Sequence, residues 1–128
     1  MSTLKYENLD LICAREGRAI AENPSSDLEN LITNALAVLE EQGVYALFLF
    51  LSTINGKNKK ALAEQVSTKL QAFLQKTPKS GALIPKDAII FDALQKMSEN
   101  LDNLLLARDL LRQTLVYARY HAKCEVTP

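Results

Sequence analysis

The chain has 128 residues, of which 48% are hydrophobic and 23% charged, with no tryptophan and only four glycines and four prolines. That is enough apolar material for one domain with its own core, and too little turn chemistry for a many-stranded sheet. Fifteen basic and fifteen acidic residues cancel, which excludes a whole-molecule field drawing the chain onto nucleic acid or membrane and leaves any such affinity to a local patch.

The opening "MSTLKYENLD" has no apolar signal core. The longest apolar run, "VYALFLFL", is far shorter than the roughly 18 residues of a membrane span. Cys13 and Cys124 stand near opposite ends without a second ligand at metal spacing, a usage that fits reduced thiols and a cytoplasmic protein.

In chain order, a first helical pattern runs from about Leu4 to Ala21, broken by Gly17, which costs roughly 1 kcal/mol relative to alanine in a helix interior. After Pro24, "SDLENLITNALAVLEEQG" places Leu28, Leu31, Ile32, Ala35, Leu36 and Leu39 on one face. Ser26 with Glu29 has the spacing of a capping box, and Gly43 suits a helix stop. "VYALFLFLSTI" fits a buried strand as well as a buried helix. With no second strand of similar strength to pair with, it reads as a helix. It has two readings, first the innermost helix of the bundle, hidden on all sides, and as the alternative a helix from which some of Tyr45, Phe48 and Phe50 reach a surface and form a self-association patch.

Asn55-Gly56 makes a turn, and the next segment puts Leu62, Val66, Leu70, Phe73 and Leu74 on one stripe. "TPKSGALIP" is the longest interruption, and Pro85 is placed to open a fifth helix, "KDAIIFDALQKM". The sixth helix runs from about Leu101 to Lys123 with Asn100 as its cap. On its wheel Leu104, Ala107, Leu111, Thr114, Ala118 and Ala122 form the core sector, with Leu106, Leu110 and Tyr117 beside it. Arg108, Arg112, Arg119 and Lys123 align within roughly 60° on the opposite side. The sum is a single all-α domain over residues 1–128, a bundle of about six helices.

The material for catalysis is thin. There is no HExxH, no CxxC and no glycine-rich phosphate loop, so neither an enzyme nor a cofactor or metal is expected. His121, the only histidine, reads as a hydrogen-bonded packing residue. The basic line on the last helix has two readings, a solvated face or a phosphate contact. Lys57, Lys59 and Lys60 crowd a helix start, where cations oppose the helix dipole. Either a solvated loop or a phosphate-rich partner accounts for them.

Two stretches, "LENLITNALAVLEEQGVYALFLFLSTI" and "LLLARDLLRQTLVYARYHAK", resemble the small all-helical subunit of type III CRISPR effector complexes of the Cmr branch. The first is similar to that family's helix, glycine turn and apolar helix, and the second to its long terminal helix. "CAREGRAIAE" looks like its first helix, with Arg15 and Arg18 at the basic positions. Where the family tends to pair two basic residues, this chain has Arg119 and Tyr120.

The resemblance implies a non-catalytic subunit. It would stack with further copies of itself beside the RAMP-type backbone subunits and the large subunit, and help form the channel for guide RNA and target RNA, read without regard to sequence. Arg112, Arg119 and Lys123 would then face phosphates, with Tyr120 on a sugar or base and Arg15, Arg18, Lys57, Lys59, Lys60 and Arg108 as further contacts. No membrane and no small-molecule substrate is implied. The alternative is a helical adaptor or self-assembling module that binds protein partners and never touches RNA.

Overall fold

In the computed structural model residues 8–126 are described, and within them six helices form and no strand. They are α1 (Leu9–Ile20), α2 (Ser26–Gln42), α3 (Val44–Thr53), α4 (Lys57–Lys76), α5 (Ile90–Met97) and α6 (Leu101–Val126). The expected first helix is thus described from its cap onward, with Asn8 Oδ1 accepting from the Leu11 amide at 3.0 Å. The residues before Asn8 lie outside the described part.

Helix starts follow cap chemistry, with one shift of register. The α2 cap is Ser25 rather than Ser26: its Oγ accepts from the Leu28 amide at 3.0 Å. Leu28 therefore occupies the third helical position, and Glu29 falls one residue too late to close the reciprocal half of a capping box. Asn100 caps α6 as expected, through Oδ1 and the Asn103 amide at 3.1 Å.

Gly43 serves two helices at once. Its amide bonds the Leu39 carbonyl at 3.0 Å to close α2, and its carbonyl accepts from Leu47 at 3.1 Å to begin α3. A φ of 99° makes this sharp junction possible, and side chains other than hydrogen resist that conformation. Directly after it "VYALFLFL" is helical, with Val44, Leu47, Phe48 and Leu51 buried. Of the three aromatics there, Tyr45 is exposed, Phe48 is buried and Phe50 lies between. The Tyr45 ring tilts against Phe91 of α5 at 5.2 Å between centroids.

Pro85 does not open the fifth helix. Pro85, Lys86 and Asp87 are exposed, so a helical turn there would bury little to offset its ordering cost; Lys86 and Asp87 make a non-helical turn, and α5 starts at Ile90. The long "TPKSGALIP" loop is anchored to the end of α4. The Leu83 amide bonds the Leu74 and Thr77 carbonyls at 3.1 Å, the Ile84 amide bonds Leu74 at 3.3 Å, and the Ile84 side chain is buried.

Helix α6 packs along both α1 and α2. It runs parallel to α1. Cys13 lies beside Leu110, Gly17 beside Thr114 and Ala118, and Ala21 beside His121. Gly17 explains itself here, because the two backbones meet at this residue and a side chain would not fit.

The wide burial of α6 also moves the basic line. Leu115 is fully buried, yet at 100° per residue it lies only about 20° from Arg108 and about 40° from Arg119. Arg108, Arg112 and Arg119 accordingly flank the core instead of opposing it and are half-buried, while Lys123 is exposed.

Candidate functional site

The sequence-derived basic residues separate into three places. Arg108 and Arg112 form the seam between α6 and the C-terminal end of α2. Arg108 donates to the Glu40 carbonyl at 3.3 Å, and Arg112 Nε lies 3.6 Å from the Glu40 carboxylate. The Arg108 bond satisfies one of the last, orphan carbonyls of α2, and both cations near that end complement the helix dipole. Arg119 sits further along the same flank, with a buried Nε that has no hydrogen-bond partner among the described residues.

The second place is the start of α4. Lys57, Lys59 and Lys60 are all exposed there, behind Gly56. The α4 helix passes α1 in the opposite sense: the Lys69 ammonium donates to the Ala19 carbonyl at 2.8 Å, and Lys76 lies 4.0 Å from Glu16. The three lysines consequently stand at the end of the bundle where α1 and α6 also finish.

The third place is between α1 and α6. A cleft of about 510 Å³ is lined by Arg15, Arg18, Ala19, Ala21, Glu22 and His121. His121 therefore faces a basic cleft, and no hydrogen bond holds it among the described residues, contrary to its reading as a bonded packing residue. Sequence reasoning missed it because its wheel position, in line with Tyr117, marks the α1 side only once the parallel α1–α6 pairing is known. Tyr120, 66% exposed, lies on the solvent side of α6.

Titratable groups nearby serve packing. Cys13 is buried with its thiol 3.5 Å from the Leu110 carbonyl, and burial, reinforced by Asp10 and Glu16, raises its pKa and keeps it protonated. A thiol held in that state is a poor nucleophile. Burial also raises the Glu16 carboxyl, against the opposing pull of Lys76 and Lys69. The Tyr117 hydroxyl donates to Asp10 Oδ1 at 2.8 Å, and that bond raises its pKa. Cys13 and Cys124 are both free thiols. Among the described residues no group of three or more His, Cys, Asp or Glu side chains could hold a metal ion, and no helix is long and apolar enough to cross a membrane.

No protein-family model, curated protein or solved structure gives a significant match to this chain.

Proposed function

We propose that this chain is a non-catalytic structural subunit of a type III, Cmr-branch CRISPR effector, contacting guide and target RNA through phosphates and without regard to sequence. The observation that supports the reading is the gathering of unpartnered cations at one end of the bundle. Arg15 and Arg18 come from α1, Lys57, Lys59 and Lys60 from α4, and Lys123 from α6. All are exposed, and none has a hydrogen bond or ion pair to another described residue. Cations left unpaired in this way are free to displace counterions from a phosphate chain. The resemblance of the α2–Gly43–α3 unit and of α6 to the small Cmr subunit supplies the assembly: RAMP-type backbone subunits, the large subunit and further copies of itself.

The other end of the bundle favours a protein-facing role alongside this one. Tyr45, Leu49, Leu101 and Leu105 are exposed apolar side chains on α3 and the start of α6, and Tyr45 and Leu105 line one groove with Glu40 and Glu41. A pure adaptor would use that end alone.

Salt separates the two. Anisotropy titrations of labelled RNAs of unrelated sequence should give equal affinities that fall with salt, with a slope of roughly 0.7 per phosphate contact on a single strand. Co-expression with RAMP-type subunits should retain the chain on the ribonucleoprotein. Affinity indifferent to salt, or a chain retained on its partners with no RNA contact, would leave the adaptor reading in its place.

A further inference from the structure

Arg108 and Arg112 already have Glu40 as a partner and the Arg119 Nε is buried, whereas the arginines of the cleft between α1 and α6 are exposed and unpartnered, so that cleft has the better chemistry. Arg15 and Arg18 rise about 4.5 Å apart along α1, line the same cleft, and have no partner among the described residues. His121 joins them from α6, and Ala19 and Ala21 leave the wall low. Glu22 is the one carboxylate lining the cleft. Two guanidinium groups sharing a cleft repel each other, and an anion between them relieves that repulsion.

The C-terminus of a helix ordinarily disfavours an anion, but here two of its last carbonyls are engaged. The Gly17 carbonyl accepts from the Ala21 amide at 3.1 Å, and the Ala19 carbonyl accepts from both the Glu22 amide at 3.3 Å and the Lys69 ammonium at 2.8 Å. Lys69 thus puts a positive charge on the helix end that borders the cleft.

We infer that this cleft is a seat for the RNA sugar-phosphate backbone. The Arg15 and Arg18 guanidiniums each take a phosphate, planar forks suited to that geometry, and the His121 imidazole hydrogen-bonds the intervening sugar or phosphate. The inference rests on the RNA-binding reading above and goes further by fixing where the strand lies: over the α1–α6 end and off the Arg108–Arg112 seam. Contacts of this kind position a strand and carry no sequence information.

The chain's single histidine makes the cleft directly observable, since one imidazole resonance reports on it. Titration of the full chain with single-stranded RNA of mixed sequence should shift that resonance. In the same solutions anisotropy should show Arg15→Ala/Arg18→Ala binding at least tenfold more weakly, with a salt slope reduced by roughly 1.4 for the two lost contacts. Arg15→Lys/Arg18→Lys should fall between, keeping charge without the fork. Both variants should keep wild-type helicity and melting temperature, because neither arginine is packed or paired.

A histidine signal unmoved at saturating RNA would overturn the proposal. So would wild-type affinity in the double alanine variant together with loss of binding in Lys57→Ala/Lys59→Ala/Lys60→Ala, and that pattern would leave the general RNA-binding reading standing. If the wild-type chain binds no RNA at low salt, both fall together.

Discussion

Gly17 of α1 and Ala118 of α6 touch backbone to backbone. A Cβ added to Gly17 would lie 2.8 Å from the Ala118 nitrogen, 2.8 Å from the Thr114 carbonyl oxygen and 2.7 Å from the Tyr117 Cβ. None of these atoms is the free end of a flexible side chain, so the helices themselves would have to separate. Gly17→Ala should therefore destabilise the protein by about 1–3 kcal/mol, even though alanine gains about 1 kcal/mol of helix propensity. Urea denaturation decides it. A variant as stable as wild type would mean that α1 and α6 do not cross this closely.

Leu115 makes a related point about α6. It is fully buried beside the basic line, so Leu115→Ala should cost about 2–5 kcal/mol. Replacing exposed Lys123 with alanine should change stability by no more than about 0.5 kcal/mol. Comparable losses in thermal melts of the two variants would contradict the placement of the line on the flank of the core.

Much of the fold was legible in the residues because helix periodicity and caps are local. The α2 and α4 stripes, the Asn100 cap and the Gly43 junction all follow from neighbours a few positions away. What escaped depends on partners remote in sequence. A wheel drawn for α6 alone cannot show that α1 and α2 both cover it, so it identifies neither Glu40 as the partner of Arg108 and Arg112 nor the cleft that His121 faces. Gly17 likewise read only as a helix-weakening residue until its partner helix was in place. Pro85 was misleading for a local reason, since a good first-turn residue does not make a helix where Lys86 and Asp87 stand in solvent.

The Glu40–Arg112 contact should be weak. Both side chains are nearly half exposed, at 45% and 44%, and exposed pairs contribute about 0.2–1 kcal/mol. A double-mutant cycle with Glu40→Ala and Arg112→Ala should give a coupling in that range that shrinks at high salt. A coupling of several kcal/mol indifferent to salt would instead require a desolvated pair.

Glu16 carries a pH dependence with a definite sign. Burial raises its folded pKa above the ordinary 4.5, so the folded chain keeps a proton that the unfolded chain has released. Its contribution to stability is full below 4.5 and is lost as pH rises through the folded value. Glu16→Gln should flatten this part of the stability profile in denaturation series across the acid range. An unchanged profile would locate the dependence elsewhere.

Tyr117 should act at the alkaline end. Its bond to Asp10 raises the phenol above the ordinary 10.0, so its contribution holds below 10.0 and disappears as pH climbs through the folded value. The difference between tyrosinate absorbance titrations of wild type and Tyr117→Phe should therefore rise above pH 10.0. A difference curve centred lower would mean that the Asp10 bond does not form in solution.

The pairing of α1 with α6 also bears on how the chain is made. Cys13 meets Leu110 across 97 positions, so the first helix has its principal neighbour only after nearly everything between has been synthesised. Until then the surface around Cys13 and Gly17, which α6 covers, stays open, while α2, α3 and α4 can already associate through short connections. Closing so large a loop is an entropic burden that local contacts do not carry. Helix α6 therefore completes this bundle, and a ribosome-bound chain stalled before α6 emerges should offer its α1 face to chaperones, or to the α6 of a finished neighbour.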